Sequence, residues 1–439
     1  MTSRCFGVLA LLVVLSGQQA LNRPALAGVA RPELLRRACG TVDNRLLEEA
    51  ERATRYHALA TPRFTLERAD GKELSGTLEE IGPNWSITLG GADLVPGRDV
   101  IALARQGTRR PPRPVDEHVV LVGGALVPGR ADDLTGETLR FQARLDGDKD
   151  LDWKLGLSAV ALVWIAAPEG TKSAEALARQ LAAARRGRDQ VHLRNGDVLE
   201  GILISFARKD QLKIEVKGRE VAVEFNKVAV IALNTDLQRV PKTKQHGHVV
   251  LASGARLELA TLKANERTAT GKTIHGNPVE FPVADLVALD MRGGPVAYLS
   301  DLKPTLFQFT PFLDLEWSYV NDGSVAGSDL RLGGHTFDKG VGVHAASKLT
   351  YAVPAGSRRF EALVGLDDRT GREGTARLEV LVDGKPRKLP WDGSLLGGKP
   401  PQELRVDLDG AKEVTLLVDF GPRGNVQAHV DFAQARFVK

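Results

Sequence analysis

From residue 61 to residue 292 the chain returns four times to one pattern, and that repetition limits its fold more than any other feature. Each copy has an opening strand of alternating polarity, a polar turn with glycine, a second strand and a closing Val-x-x-Leu or Val-x-Ala-Leu run. The third copy is the clearest, with "VHLRNGDVLEGILISF" at its start and "NKVAVIALN" at its end. Asn195-Gly196 between two alternating runs is a strong hairpin signal, because both residue types tolerate positive φ. The first copy has Asp70-Gly71 in the same turn position, and the spacing of Gly71 and Gly76 matches that of Gly196 and Gly201. The fourth copy runs from "VVLASGARLELATL" to "ADLVALD", and the second, least regular, from "VVLVGGALVPGRADDL" to "SAVALVWI".

Units of about 45 residues with short strands and tight turns are too small for a sandwich, and they resemble SH3-like or Sm-like barrels. The expected fold class is therefore mainly β: tandem small β-barrels at 61–107, 115–168, 189–236 and 245–292, followed by a C-terminal antiparallel β-sandwich, jelly-roll-like, at 296–439. Few aromatics lie in the barrel turns, so the barrels read as a spacer or a protein-contact array. Two helices interrupt the β pattern. Pro32 to Ala60, within an N-terminal segment at 28–60, has apolar residues at helical spacing, and Ser173 is the expected N-cap of a connector helix within 171–188. "RRPPRP", Arg109 to Pro114, reads as a stiff extended joint.

Arg4, the apolar run from Phe6 to Leu15 and the triplet Ala25-Leu26-Ala27 have the layout of a cleaved signal peptide over 1–27. That predicts a secreted or periplasmic protein with no membrane span after cleavage. Cleavage would remove Cys5 and leave Cys39 alone, so no internal disulfide is expected. The formal charge is only +4, with basic and acidic residues interspersed, which gives no reason to expect a nucleic-acid partner. Small basic clusters (Arg109, Arg110 and Arg113; Arg185, Arg186 and Arg188) read as solvated linker charge.

After Val296 alternating strands take over: "RFEALVGL", "ARLEVLVDG" and "EVTLLVDFG" each put a set of apolar residues on one face. Before them, "LRLGGHTFDKGVGVHAASKLTYAV", from Leu330 to Val353, sets Gly333, Gly334, Gly340 and Gly342 beside His335 and His344. Glycines in such a run mark turns or close backbone approach. With "YLSDLKP", "FEALVGLDD", "VLVDGK" and "HVDFAQARF" in order, the region from Ala297 to Lys439 resembles the NPCBM family, novel carbohydrate-binding modules with a β-sandwich fold. The family's closing motif has an acidic residue before the histidine and a tryptophan after the aspartate. Here those positions hold Ala428 and Phe432.

The resemblance implies a non-catalytic module that binds galactose-type or related sugars, with a structural calcium ion as a further option. Sugar recognition needs an aromatic face and convergent polar groups, which Trp317, His344, Asp367, Asp368, His429 and Asp431 offer. Each also has a structural reading: a sheet histidine, a turn carboxylate or a core indole. Asp322 and Asp329, in "NDGSVAGSD", are the candidate calcium ligands. No Gly-x-Ser-x-Gly elbow, Walker loop or His-Glu-x-x-His helix occurs, and no segment is long enough for a separate catalytic fold, so catalysis is not expected. Two functions remain: an exported carbohydrate-binding protein whose partner is a glycan of the envelope or another source, or an envelope assembly protein acting through protein contacts.

Overall fold

The computed structural model describes residues 61–145, 150–312 and 315–439. The signal peptide and the helix expected at 32–60 lie outside the described residues. Residues 62–439 form one compact unit. The fold is mainly β with antiparallel sheets, and the single helix among the described residues is Ala174–Ala183. That helix begins where expected: the Ser173 hydroxyl accepts a hydrogen bond from the Ala176 amide. No helix among the described residues is long and apolar enough to cross a membrane.

Each sequence repeat folds as a meander whose first strand pairs with both its second and its last. In the first repeat Arg63–Arg68 pairs with Glu73–Ile81 and with Val100–Arg105. In the third, Asp189–Leu193 pairs with Val198–Ala207 and with Val228–Ala232. The repeats are not separate sheets. The nineteen strands form a single hydrogen-bonded network that is not itself a barrel.

Closing strands supply two of its links, and the pairing of Arg256 with Leu126 joins the fourth repeat to the second. Val100–Arg105 pairs with Leu286–Gly293, joining the first repeat to the fourth, and Val160–Trp164 pairs with Val228–Ala232, joining the second to the third. A closing strand thus has neighbours on both edges, and Val160–Trp164 and Val228–Ala232 are buried at every position. This explains why "VALVW" and "VAVIA" are unbroken apolar runs rather than alternating ones. A single apolar core extends from Phe64 in the first repeat to Met291 in the fourth.

At the third-repeat hairpin only Gly196 takes a positive φ, +89°. Asn195 acts through its side chain, whose Oδ1 accepts the Asp197 amide at 3.1 Å. The turn is therefore an Asx-type turn closed by glycine, not a two-residue turn with both φ values positive.

Residues 296–439 build two six-stranded antiparallel sheets and a small hairpin, Leu330–Leu332 with His335–Phe337. Val343, Phe360 and Val430 of one sheet and Leu349, Leu378 and Leu416 of the other belong to one core cluster, which fits the expected sandwich. The longest strand, His429–Val438, lies between Gly340–His344 and Arg359–Leu366. The signature glycines follow from this packing. A Cβ on Gly340 would sit 2.2 Å from the Phe432 carbonyl oxygen, and one on Gly342 would sit 2.4 Å from that of Gly323.

The "RRPPRP" segment is not a solvated joint. Arg110 places Nη2 2.7 Å from Asp290 and Nη1 3.1 Å from Asp338, and Arg113 reaches Asp329 at 2.8 Å and Asp338 at 3.3 Å. Arg256 and His248, from the fourth repeat, also approach Asp338, at 3.3 and 3.5 Å. Burial opposes the charge on Asp338, but Arg256, His248 and Arg113 outweigh it and hold the carboxyl well below its ordinary range. Arg186 is likewise buried, donating to the Leu233 and Leu181 carbonyls. The ion pairs at Asp329 and Asp338 tie the joint and the fourth repeat to the C-terminal domain.

Candidate functional site

The eight residues singled out from the sequence separate into four groups. Three of them converge at one end of the first C-terminal sheet. His344 and His429 are direct cross-strand partners, with ring centroids 5.2 Å apart. Trp317, from the loop before Val320–Asn321, stacks on His344 at 5.0 Å with 13° between planes and stands 5.1 Å from His429. The indole is half-buried, so part of its surface remains in solvent.

Both imidazoles are neutral at ordinary pH. Burial lowers the pKa of His344, and burial followed by the nearby His344 ring brings His429 down to about 4. His344 Nδ1 lies 3.0 Å from the Ala345 carbonyl, so this nitrogen carries the proton and donates. His429 Nδ1 is buried without a hydrogen-bond partner. The cluster offers an aromatic edge and uncharged imidazoles, a chemistry suited to the C–H faces and hydroxyls of a sugar.

Asp367 and Asp431 form a second group, and neither is exposed to solvent. Asp431 Oδ2 accepts the Arg331 amide, Asp367 Oδ1 accepts the Arg369 amide, and each carboxyl keeps one buried oxygen without a partner. Burial raises the pKa of both, and for Asp431 the neighbouring Asp367 adds to the rise. These groups stand beneath the surface, so a contact with solute is not open to them as the sequence suggested. Asp368 is exposed but committed: its two oxygens accept the amides of Gly333 and Gly334 at 3.1 and 2.6 Å, holding the turn of the small hairpin.

The candidate calcium ligands do not fit a metal. Asp322 accepts from Lys339 Nζ at 2.8 Å and the Gly340 amide at 3.2 Å, while Asp329 is buried against Arg113 and Arg179. Their oxygens are already matched by cations, and among the described residues no group of three or more metal-ligating side chains occurs. Ala428 and Phe432, where the sequence departs from the family motif, are fully buried. The departure therefore falls at buried positions.

A protein of Renibacterium salmoninarum that carries the name endo-alpha-N-acetylgalactosaminidase is 39% identical over 112 residues, 26% of this chain and 7% of that one. The chain thus spans a small fraction of that curated relative. Among solved structures, a CBM51 from Clostridium perfringens GH95 in complex with methyl-galactose is 23% identical, over 33% of this chain and 99% of that one, with a TM-score of 0.29. A CBM51-2 in complex with GlcNAc with INT domains, from Clostridium perfringens ZmpB, is 24% identical over 41% of this chain and 37% of that one, with a TM-score of 0.30. The family model described as NPCBM/NEW2 domain matches residues 296–438, so the C-terminal third carries an NPCBM domain.

Proposed function

We propose that this is an exported, non-catalytic carbohydrate-binding protein whose C-terminal domain receives a galactoside-type or envelope sugar at the Trp317–His344–His429 cluster. The observation that carries the reading is the indole packed against two uncharged imidazoles at one sheet end, within the segment matched by the NPCBM/NEW2 model. The fold around it supplies rigidity, since both histidines lie on paired strands. The non-catalytic part of the reading rests on the two buried acids. The two buried acids sit side by side away from solvent, without the open cleft that glycoside hydrolysis requires.

The test is isothermal titration of the full chain with methyl-galactose, N-acetylglucosamine and envelope polysaccharides. Binding of at least one, lost in Trp317→Ala with the melting temperature unchanged, supports the reading. No heat with any of them at millimolar concentration removes it. Because His429 titrates near pH 4, binding should stay level from pH 8 to about pH 5 and weaken only as the imidazole charges.

An envelope assembly role is the second reading. It is favoured by Val198, Ile202 and Ile204, which expose 48%, 58% and 40% of their surface along one strand of the third repeat. Retrieval of one defined envelope protein by the wild type, and not by Ile202→Asp, would favour it.

A further inference from the structure

A cleft of about 830 Å³ lies between the repeats and the C-terminal domain, lined by residues that the Trp317 cluster does not include. Its volume is that of an ordinary small-ligand site. One wall is the small C-terminal hairpin, where Arg331 stands and against whose turn Arg109 lies: a Cβ on Gly334 would be 3.2 Å from Arg109 Nη1. Neither the Arg109 nor the Arg331 guanidinium has a hydrogen-bond or ion-pair partner among the described residues. The surroundings are already short of negative charge. Arg179, also lining the cleft, is pulled down to about 10 by burial and then by Arg113.

The lining also holds two buried, unpartnered groups. His118 and Trp164, exposed by only 2% and 1%, stack 5.9 Å apart at 14°, and His118 Nε2 and Trp164 Nε1 have no hydrogen-bond partner. His118 Nδ1 lies 2.7 Å from the Asp116 carbonyl, so it donates there and Nε2 is left as an acceptor. Burial keeps this ring neutral, with its pKa lowered to about 4. Trp164 Nε1 is a donor only. A neutral acceptor beside a neutral donor matches a hydroxyl, which donates to one and accepts from the other. Unpaired guanidinium groups in the same lining match a carboxylate or sulfate.

We infer that this cleft is a second binding site, which takes an acidic saccharide by pairing its anionic group with Arg109 and Arg331 and a hydroxyl with His118 and Trp164. The site does not depend on the aromatic cluster and stands or falls apart from it.

The experiment titrates the full chain with trigalacturonate, a sulfated chondroitin disaccharide, neutral galactobiose and inorganic sulfate, at low and at physiological salt. The two acidic probes separate a carboxylate from a sulfate preference. At least one should bind, about tenfold or more tighter than galactobiose, with affinity falling as salt rises. Arg109→Ala and Arg331→Ala should each weaken it about tenfold without lowering the melting temperature, since neither side chain has a partner to lose. Trp317→Ala should leave it unchanged. Absence of acidic-sugar binding at millimolar concentration overturns the inference. So does equal binding by both arginine variants, loss in Trp317→Ala, or sulfate alone binding as tightly as the saccharides.

Discussion

Replacing Asp338 by asparagine tests how the C-terminal domain is held to the repeats. The carboxyl is 3% exposed, and four cationic or proton-bearing groups stand within 3.1 to 3.5 Å of it: Arg110, Arg113, Arg256 and His248. Asparagine keeps the shape but removes the carboxylate common to all four; Arg110, Arg113 and His248 keep Asp290, Asp329 and Glu258, while the buried Arg256 loses its carboxylate partner. Breaking a buried ion pair by neutralising one partner costs about 3–5 kcal/mol, because the remaining charge is left buried and uncompensated. With an unfolding entropy of about 0.8 kcal/mol/K for a unit spanning residues 62–439, that cost lowers the melting temperature by about 4–6 °C. The pH dependence has a fixed sign. The native pKa of Asp338 is depressed, so its contribution is complete above the unfolded value near 4 and is lost as pH falls toward the native one. Calorimetry of wild type and Asp338→Asn should show the full gap at pH 7 and a narrowing gap below about pH 4. A shift under about 1 °C at pH 7, or a gap that grows on acidification, would refute the reasoning.

Asp431 should behave in the opposite sense. Its native pKa is raised by burial and by Asp367, so the wild type loses stability as pH rises through that value. Asp431→Asn should melt higher than wild type at pH 8 and equal to it at acid pH; a lower melting point at pH 8 counts against the buried-acid account. Gly342→Ala must push its new Cβ away from the Gly323 carbonyl oxygen, 2.4 Å off, and should cost about 1–3 kcal/mol in chemical denaturation. An unchanged midpoint would mean that the glycine is there for another reason.

Local signals in the sequence carried the strands well. Alternation in "RFEALVGL" and "EVTLLVDFG" placed two real strands, Arg359–Leu366 and Glu413–Phe420, and Ser173 capped the helix it was expected to cap. What sequence cannot carry is the partner of an edge. The closing strands were legible as apolar runs, but nothing local says that the first repeat's closing strand meets the fourth repeat's. An unbroken run such as "VAVIA", buried at every position, was the available hint. Charge was misread for the same reason. Arg110 and Arg113 look solvated beside prolines, and only the fold brings Asp290, Asp329 and Asp338 to them from positions far along the chain. Trp317, His344 and His429 were found by residue type, while the burial of Asp367 and Asp431 depended on strand neighbours invisible to a linear reading. His118 and Trp164 carried no motif. The signal that could have found them is a polar ring at each end of paired apolar strands, "HVVL" and "VALVW".

The joining of the first repeat to the fourth, and of the fourth also to the second, has a practical corollary. Shortening this protein from either side cannot proceed unit by unit, because trimming the first meander bares an edge of the fourth, on which the joint and the terminal sheets rest. A saccharide assay on an excised tail would likewise be run on a domain stripped of its anchoring arginines.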